Sequence, residues 1–369
     1  MTIAKKSILV ASLGNMLEYY DYAIFNIFLP IIAPVFFPGR TKYDALVMGY
    51  YAVLISAIAR PLGGLLFGYI GDRFGRKIAL LLSIYGIAFV TLLVGILPGY
   101  ASIGIAAMFI LTTIRALQML CFGGEVCGAG IYVVELANGH REGLMGSILT
   151  AMALVGSVVA SLIGVILSYL NPQQPNWRLA FILGGIAGLV AIIFRRNMAE
   201  SVDLTELSNK VSLKTPFIKY PRELFAGVCI GGFITMPFTT VLAYVNPMLV
   251  TKGFISNLEF MKFQFILSVI AVISLLLSGL ASDKYTPSKI MYGSAIALIL
   301  VAWPLCKMFN SELMGFVLIA EIIMVVINEF LLGPVNAYLK SIFPVQVRYR
   351  GAAFSFCLGM SIIGGLPLL

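Results

Sequence analysis

The chain has 369 residues, of which 60% are apolar and only 11% are charged. A soluble domain needs roughly a quarter of its residues charged, so this composition excludes one and indicates a polytopic α-helical membrane protein. The net charge of +9 does not indicate a nucleic-acid partner, because Lys and Arg fall mostly in alternate loops, where they orient membrane spans.

Long apolar runs recur along the chain, each with the roughly 20 residues that a helix needs to cross a bilayer. The longest polar stretch, 195–222, predicts a linker between two helical halves, 1–194 and 223–369. The positive-inside rule predicts a cytoplasmic N-terminus, because that orientation places most Lys and Arg residues inside. The predicted spans are 7–36, 45–70, 76–97, 102–134, 143–170, 177–194, 223–250, 258–281, 288–308, 312–339 and 351–369.

The first span carries two acids, Glu18 and Asp21, in the segment GNMLEYYDY at 14–22. A carboxylate in hydrocarbon costs a few kcal/mol at least, so its presence needs a reason. Helical spacing places both acids on one face, and two close carboxylates disfavour joint ionisation. The pair is therefore a candidate proton carrier. A structural pair neutralised by a buried arginine is the alternative, and the two roles can coexist.

Three tyrosines, Tyr19, Tyr20 and Tyr22, surround these acids. They can line an aromatic pocket that holds an ammonium group through cation–π contacts. They can equally form a packing or interfacial cluster, and the sequence leaves both readings open.

The turn after the second span reads GYIGDRFGRK at 68–77. Gly64 and Gly68 lie on one helix face, so we expect a neighbouring helix to approach closely there. Gly71 and Gly75 permit a tight turn, and Asp72 can then cap a helix or pair with a base or a neighbouring helix. The predicted gating loop comprises Gly68, Gly71, Asp72, Arg73, Gly75, Arg76 and Lys77.

A second acid–base pair, Asp283 and Lys284, lies in GLASDKYTPSK at 279–289, after the second span of the second half. It occupies the same place in its half as Asp72 and Arg73 do in theirs. The sequence therefore predicts an internal repeat with its symmetry axis along the membrane normal.

The fourth span has a polar stripe of Arg115, Gln118, Phe122 and Glu125. Arg115 and Glu125 are about 15 Å apart along the helix axis, so they cannot pair with each other. Arg115 must find a carboxylate on another helix or on a substrate. A helix-packing ion pair is an equal alternative for Arg60 of the second span.

The tenth predicted span contains Glu321, Asn328 and Glu329. Buried polar groups in a span are functional candidates. Structural hydrogen bonding is the alternative for all three.

The motifs together resemble the metabolite:proton symporter family of the major facilitator superfamily. The 68–77 turn is similar to the superfamily's signature loop, and 14–22 resembles the family's first-span pattern, with tyrosines for tryptophan and phenylalanine. Three stretches resemble it further: RPLGG (60–64), REGLMGS (141–147) with an extra glutamate, and FPVQVRY (343–349). RALQMLCFGGE (115–125) also fits, with Met119 where glycine is usual. Within the family the chain looks most like proline/betaine transporters.

The resemblance implies an all-α major facilitator fold of two six-helix halves, here with the twelfth helix missing and about eleven spans. It implies a secondary active transporter in a bacterial inner membrane, moving a small polar solute together with a proton by alternating access. The solute is a zwitterionic osmolyte such as proline or betaine, or an organic acid. We expect Glu18 and Asp21 to couple the proton; the candidate solute ligands are Tyr19, Tyr22, Arg115, Gln118, Glu125, Asn328 and Glu329.

We expect the proton as coupling ion and no other cofactor, no metal, no enzymatic activity, no nucleic-acid partner, and a monomer in the lipid bilayer. The alternatives are a truncated homologue that does not transport and a solute sensor. A drug exporter of the same fold is disfavoured, because lipophilic drugs need fewer buried charges.

Overall fold

The computed structural model describes residues 3–39, 41–171, 176–205, 207, 211–241, 245 and 257–365. Within these ranges the chain forms helices and turns without strands, which confirms the all-α prediction. The helices are α1 (Ile3–Phe36), α2 (Lys42–Ala57), α3 (Ala59–Phe74), α4 (Arg76–Ile96), α5 (Tyr100–Ile103), α6 (Ala106–Ala137), α7 (Glu142–Leu170), α8 (Trp177–Arg195), α9 (Thr215–Lys219), α10 (Pro221–Thr240), α11 (Asn257–Tyr285), α12 (Pro287–Phe309), α13 (Met314–Leu332), α14 (Val335–Ile342) and α15 (Arg348–Ile362).

Ten segments of the described chain are long and apolar enough to cross a membrane. Helix α15 corresponds to the eleventh predicted span and has 15 residues. Parts of the predicted spans 223–250 and 351–369 lie outside the described residues. The boundaries of the two halves, 1–194 and 223–369, stay a prediction, with α8 ending at Arg195 and α10 beginning at Pro221.

The predicted span 45–70 lies in one membrane-crossing segment, Lys42–Phe74, which consists of two helices because the helical hydrogen bonding is interrupted at Ile58 between α2 and α3. Pro61 has no N–H group, so the carbonyl of Ala57 four residues earlier loses its helical donor. The Ser361 hydroxyl of α15 donates to that carbonyl at 3.1 Å. A side chain from the far end of the sequence thus supplies the hydrogen bond that the Ala57 carbonyl lacks.

The predicted span 312–339 is also two helices, α13 and α14, separated at Gly333 and Pro334. The same cause applies, since Pro334 leaves the Phe330 carbonyl without its helical donor. Ser278 of α11 donates to this carbonyl at 2.9 Å. Both proline breaks are therefore supported by a serine on a neighbouring helix.

The tight turn predicted at Gly71 and Gly75 occurs at Gly75 alone, where φ is +104°. The prediction for Gly71 is wrong, because α3 continues to Phe74. Gly71 instead makes room for the ring of Tyr349, which a Cβ atom would strike.

Two helix pairs join the N-terminal helices to the C-terminal ones. A Cβ atom on Gly64 or Gly68 of α3 would collide with the backbone of α15. Gly143 of α7 and Gly279 of α11 approach each other in the same way. The close approach predicted for Gly64 and Gly68 is confirmed, because small residues let helix backbones meet.

Aromatic rings fix α1 against α8 beside the polar residues of α1. The ring centroids of Phe36 and Trp177 are 5.9 Å apart, and those of Phe25 and Phe181 are 6.3 Å apart. Both pairs are edge-to-face, the favoured geometry. We call the end of the bundle where α3 ends and α4, α7 and α15 begin the linker side, because linker residues contact it.

Candidate functional site

Asp21 of α1 is the centre of a buried hydrogen-bond cluster. Its carboxylate accepts from the Thr91 hydroxyl of α4 at 2.7 Å and from the Gln118 amide of α6 at 2.9 Å. The side-chain oxygen of Gln118 in turn accepts a hydrogen bond from the Arg115 guanidinium at 2.7 Å. The expected carboxylate partner of Arg115 is therefore Asp21, reached through an intervening amide rather than directly.

Arg115 is fully buried, and its guanidinium carbon lies 3.8 Å from the centre of the Phe25 ring. Cation–π contact with the ring compensates part of its desolvation. Two of its nitrogens, Nε and Nη2, have no hydrogen-bond partner. A buried guanidinium with free donors is a recognition element for a carboxylate.

Glu18 lies one turn before Asp21 and is 2% exposed. Neither of its carboxylate oxygens has a hydrogen-bond partner among the residues that the structure describes. An ionised carboxylate without partners is very costly to bury, whereas the protonated acid costs much less. The surroundings of Glu18 and Asp21 therefore differ sharply: one acid has no partner and the other accepts three hydrogen bonds.

An aromatic face adjoins these acids. The Phe122 ring is 5.3 Å from Tyr19 and 5.5 Å from Tyr22, centroid to centroid. The Arg60 guanidinium lies 4.9 Å from the centre of Phe122, and its Nε atom has no hydrogen-bond partner. This cluster already holds a cation against aromatic rings. Tyr20 does not join it.

The Tyr20 hydroxyl donates instead to the Ala180 carbonyl of α8 at 2.8 Å, and its ring is buried against that helix. Of the two readings left open for the tyrosines, packing describes Tyr20. Tyr19 and Tyr22 both lie against Phe122, and their contact with a solute stays a prediction.

Glu125, a predicted solute ligand, is held by a buried arginine. Arg195 at the end of α8 forms two hydrogen bonds to the Glu125 carboxylate, one of them from Nη1 at 2.9 Å. Ser83 of α4 donates to the same carboxylate at 2.6 Å. The pair joins α4, α6 and α8, so the structure gives Glu125 a bracing position. Solute binding by Glu125 stays a prediction.

The C-terminal helices carry buried acceptor atoms without partners. Glu321 accepts from Gln264 of α11 at 3.0 Å through one oxygen, and its second oxygen has no hydrogen bond. Within the described part of the chain, the side-chain oxygen of Asn328 and one carboxylate oxygen of Glu329 also lack a partner, and both residues are buried. Buried acceptors without partners are unusual and are suited to bind a donor or a cation.

On the linker side, Asp72 joins α3 to the first turn of α15. It accepts from the backbone N–H groups of Tyr349 at 3.0 Å and Arg350 at 3.2 Å, and from the Arg76 side chain at 2.8 Å. A carboxylate at a helix N-terminus is stabilised by free N–H groups and by the helix dipole. Of the partners considered for Asp72, the structure has Arg76 and the neighbouring helix.

Arg76 connects this contact to Glu135 at the end of α6. Its Nε atom lies 3.3 Å from Glu135, and its Nη2 atom donates to the Val345 carbonyl at 2.8 Å. Arg348 donates to Glu135 at 2.8 Å, and Ser201 of the linker donates to it at 2.7 Å. The network ties both groups of helices and the linker together. We call it, with Asp72, the linker-side network.

Asp283 makes the equivalent contact in the second half. Its oxygens accept from the backbone N–H groups of Gly143 at 2.7 Å and Leu144 at 3.1 Å, in the first turn of α7. Nearby, Lys340 of α14 forms an ion pair with Glu142. Each of the two repeated acids therefore caps a helix of the opposite half, a geometry that fits the predicted repeat.

The linker caps a third helix through Glu200. Its carboxylate accepts from the N–H groups of Arg76 at 2.8 Å and Lys77 at 3.2 Å, where α4 begins. Partial burial raises the pKa of the Glu200 carboxyl above its ordinary value, although these N–H donors oppose the rise. The contribution of this cap to stability therefore depends on pH.

Sequence reasoning identified Asp21, Arg115 and Gln118 but missed Thr91, Glu135 and Glu200. Thr91 gives no signal in an apolar span. Glu135 was detectable as an acid at the end of a span that faces several bases. The role of Glu200 depends on a contact across 124 residues, which no local pattern reports.

A family model described as Major Facilitator Superfamily matches residues 11–366. The chain therefore belongs to the Major Facilitator Superfamily. It is a multi-pass membrane protein and a solute transporter, not an enzyme.

The chain is 29% identical over 388 residues to the proline/betaine transporter of Salmonella typhimurium, covering 99% of this chain and 77% of the relative. It is 28% identical over 385 residues to the glycine betaine/proline/ectoine/pipecolic acid transporter OusA of Dickeya dadantii, covering 98% of this chain and 76% of the relative. The predicted resemblance to proline/betaine transporters is confirmed.

Two solved structures share the fold. The proton:xylose symporter XylE bound to 6-bromo-6-deoxy-D-glucose gives a TM-score of 0.79 at 18% identity, with coverage of 99% of this chain and 87% of that one. The transporter FucP in the outward conformation gives a TM-score of 0.74 at 13% identity, with coverage of 99% of this chain and 91% of that one. The predicted major facilitator fold is confirmed.

Proposed function

We propose that this protein takes up a small zwitterionic solute, of the proline and betaine kind, together with a proton across a bacterial inner membrane. The N-terminus and the linker face the cytoplasm in this proposal, as the positive-inside rule predicts. The protein acts as a monomer, with the proton as its coupling ion and no other cofactor.

One observation carries the proton coupling: Glu18 is 2% exposed and neither of its oxygens has a hydrogen-bond partner. Such a carboxyl group is stable when protonated and costly when ionised. Proton release therefore requires a change in its surroundings, which is what coupling to a conformational change demands. Asp21, held by Thr91 and Gln118, is the second candidate.

The free hydrogen-bonding atoms favour a zwitterion over an organic acid. On the N-terminal helices, Arg60 and Arg115 retain donors that fit a substrate carboxylate. On the C-terminal helices, the free atoms of Asn328 and Glu329 are acceptors that fit a substrate cation. The rings of Tyr19 and Tyr22 provide cation–π contacts for an ammonium group that carries no N–H. The names of the two bacterial relatives point the same way.

The linker-side network supports transport by alternating access. Together with the helix cap at Asp283, it closes the linker side through contacts between opposite halves. These contacts must break when the substrate is released into the cytoplasm. The predicted gating loop then acts as a latch, with the charged hydrogen bonds of Asp72 holding it closed.

The test is uptake of labelled proline by proteoliposomes with an imposed pH gradient, inside alkaline. We expect accumulation that collapses when a protonophore is added, and competition by excess betaine. A dicarboxylate that competes better than betaine would overturn the zwitterion proposal. Accumulation that is indifferent to the gradient would overturn proton coupling. Ligand binding without uptake would instead support a sensor.

A further inference from the structure

We propose that a cavity on the linker side binds the phosphate headgroup of an anionic phospholipid. The cavity has a volume of about 600 Å³ and lies between the end of α3, linker residues 207 and 211–214, and the start of α15. We call it the linker cavity. It lies apart from the central cluster around Asp21, and the proposal does not depend on the transported solute.

The lining of the linker cavity is positively charged. Among the residues that the structure describes, it contains three cations, Arg73, Lys214 and Arg350, against one carboxylate, Asp72. That carboxylate is already occupied, since it accepts from Arg76 and from two backbone N–H groups. Three positive charges against one negative charge leave the described lining with a net positive charge, which favours an incoming anion.

Arg350 has spare donors although it is 1% exposed. Its Nε atom lies 3.3 Å from Asp72 but makes no hydrogen bond. Among the described residues, both terminal nitrogens reach only the Val211 carbonyl, at 3.5 Å each. A buried guanidinium with such weak bonds is under-satisfied, and a phosphate group matches its fork of donors.

An apolar track leads from the bilayer into the linker cavity. Leu62, Leu66, Tyr69 and Arg73 follow one another on α3 at intervals of four, three and four residues, so they share one face. Leu62 and Leu66 are exposed, and Tyr69 and Arg73 line the cavity. An acyl chain fits along the leucines while its headgroup reaches Arg73. A free anion has no acyl chain and would make no contact with these leucines.

The linker helix that follows Lys214 exposes apolar side chains. The short helix α9 carries Phe217 and Ile218, both exposed, with Ile218 at 72%. The Phe217 ring lies 5.2 Å from the ring of Phe354 on α15. Apolar side chains exposed beside basic residues are typical of an interfacial segment. This position favours a lipid headgroup over a soluble phosphate.

The internal repeat offers a matched control. Lys284 follows Asp283 as Arg73 follows Asp72, and Lys289 lies a few residues further on. Both lysines are exposed, and neither lines the linker cavity. The double variant Lys284→Ala/Lys289→Ala therefore removes the same charge as Arg73→Ala/Lys214→Ala without touching the proposed site.

The test measures lipid retention by native mass spectrometry of the full chain, incubated with equal amounts of phosphatidylglycerol and phosphatidylcholine. We expect the unmodified protein to retain phosphatidylglycerol preferentially. Arg73→Ala/Lys214→Ala should lower that preference about 25-fold, at about fivefold per cation. The matched control should keep it. Thermal unfolding in phosphatidylcholine alone verifies that both variants are folded.

Three results would overturn the proposal. They are equal retention of the two lipids by the unmodified protein, an equal loss of preference in the matched control, and protection from unfolding by inorganic phosphate alone equal to that given by phosphatidylglycerol. The last result would identify a soluble-anion site.

Discussion

The central cluster and the linker-side network contain similar residues, but they differ in how far the hydrogen-bonding atoms of these residues are satisfied. In the linker-side network both oxygens of Asp72 and both of Glu135 accept hydrogen bonds. In the centre, Glu18 has no hydrogen-bond partner and Arg115 uses only one nitrogen. Buried polar groups are normally satisfied, so free ones need an explanation.

Charged groups with complete hydrogen bonding stabilise the fold, whereas charged groups with free hydrogen-bonding atoms are available to bind a ligand. A satisfied acid loses stabilising contacts when it is neutralised, whereas a free acid has none to lose. The same substitution of acid by amide should therefore give opposite results in the two regions. Three predictions follow from this contrast, from the largest expected effect to the smallest.

Glu18→Gln should lower gradient-driven uptake at least about a hundredfold, the scale of losing a group that must move a proton. The temperature of unfolding should stay the same or rise, because the amide resembles the protonated acid and no hydrogen bond is lost. Proteoliposome uptake and a thermal unfolding scan measure the two quantities.

The matched control is Glu125→Gln on α6. It leaves Arg195 without its charge partner, and breaking a buried ion pair costs about 3 kcal/mol or more. Its unfolding temperature should fall. If Glu18→Gln unfolds as easily as this control, Glu18 is a structural residue and the contrast between satisfied and free acids fails.

Asp72→Asn should loosen the contact between α3 and α15. Loss of the charge weakens hydrogen bonds worth about 1.5 kcal/mol or more, which corresponds to about tenfold in population. Cys357 of α15 is a natural reporter, because it is fully buried with its thiol facing the Gly123 carbonyl. Its labelling by N-ethylmaleimide should become about tenfold faster.

Asp283→Asn provides the comparison for this experiment, since it loosens the α7–α11 contact instead. We expect a smaller increase in Cys357 labelling, because α15 lies against α3. An unchanged rate in Asp72→Asn would show that the glycine contacts alone hold the linker side closed.

Glu200→Gln should produce the smallest effect, visible only in the pH dependence of stability. The folded protein raises the pKa of Glu200, so it binds this proton more tightly than the unfolded chain does. The Glu200 contribution to stability is therefore fully present at acidic pH and declines as the pH rises through the raised pKa. The decline with pH above about 4.5 should be shallower in the variant.

Chemical unfolding in detergent at a series of pH values between about 4 and 7 measures this slope. Comparison with the unmodified protein cancels the other titrating groups. A steeper decline in Glu200→Gln would show that folding lowers the pKa of Glu200 rather than raising it. The N–H donors of α4 would then outweigh the burial of the carboxylate.

Much of the fold followed from the sequence, because membrane spans depend on local composition. The apolar runs located the helices, and Gly64 and Gly68 predicted a close helix contact that α15 makes. The two proline breaks were missed, because apolar composition runs straight through them. Gly71 was misread because its role is set by Tyr349, a residue far along the chain.

The sequence by itself determined that the chain crosses a membrane, where its buried acids and bases lie and which turns repeat. These properties depend on residues a few positions apart, and helical periodicity makes them readable. It also placed Glu18 and Asp21 on one helix without distinguishing them.

Only the tertiary structure decided which charges are paired. Glu125 meets Arg195 across 70 residues, and Asp72 meets the N–H group of Tyr349 across 277. Local pattern cannot specify such partners, because they are chosen by the packing of whole helices. The same packing leaves the Glu18 carboxylate without a hydrogen-bond partner among the described residues. It also places Lys214 of the linker in the same cavity lining as Arg73 and Arg350. Hydrogen-bond satisfaction in three dimensions therefore separates the structural charges from the functional ones.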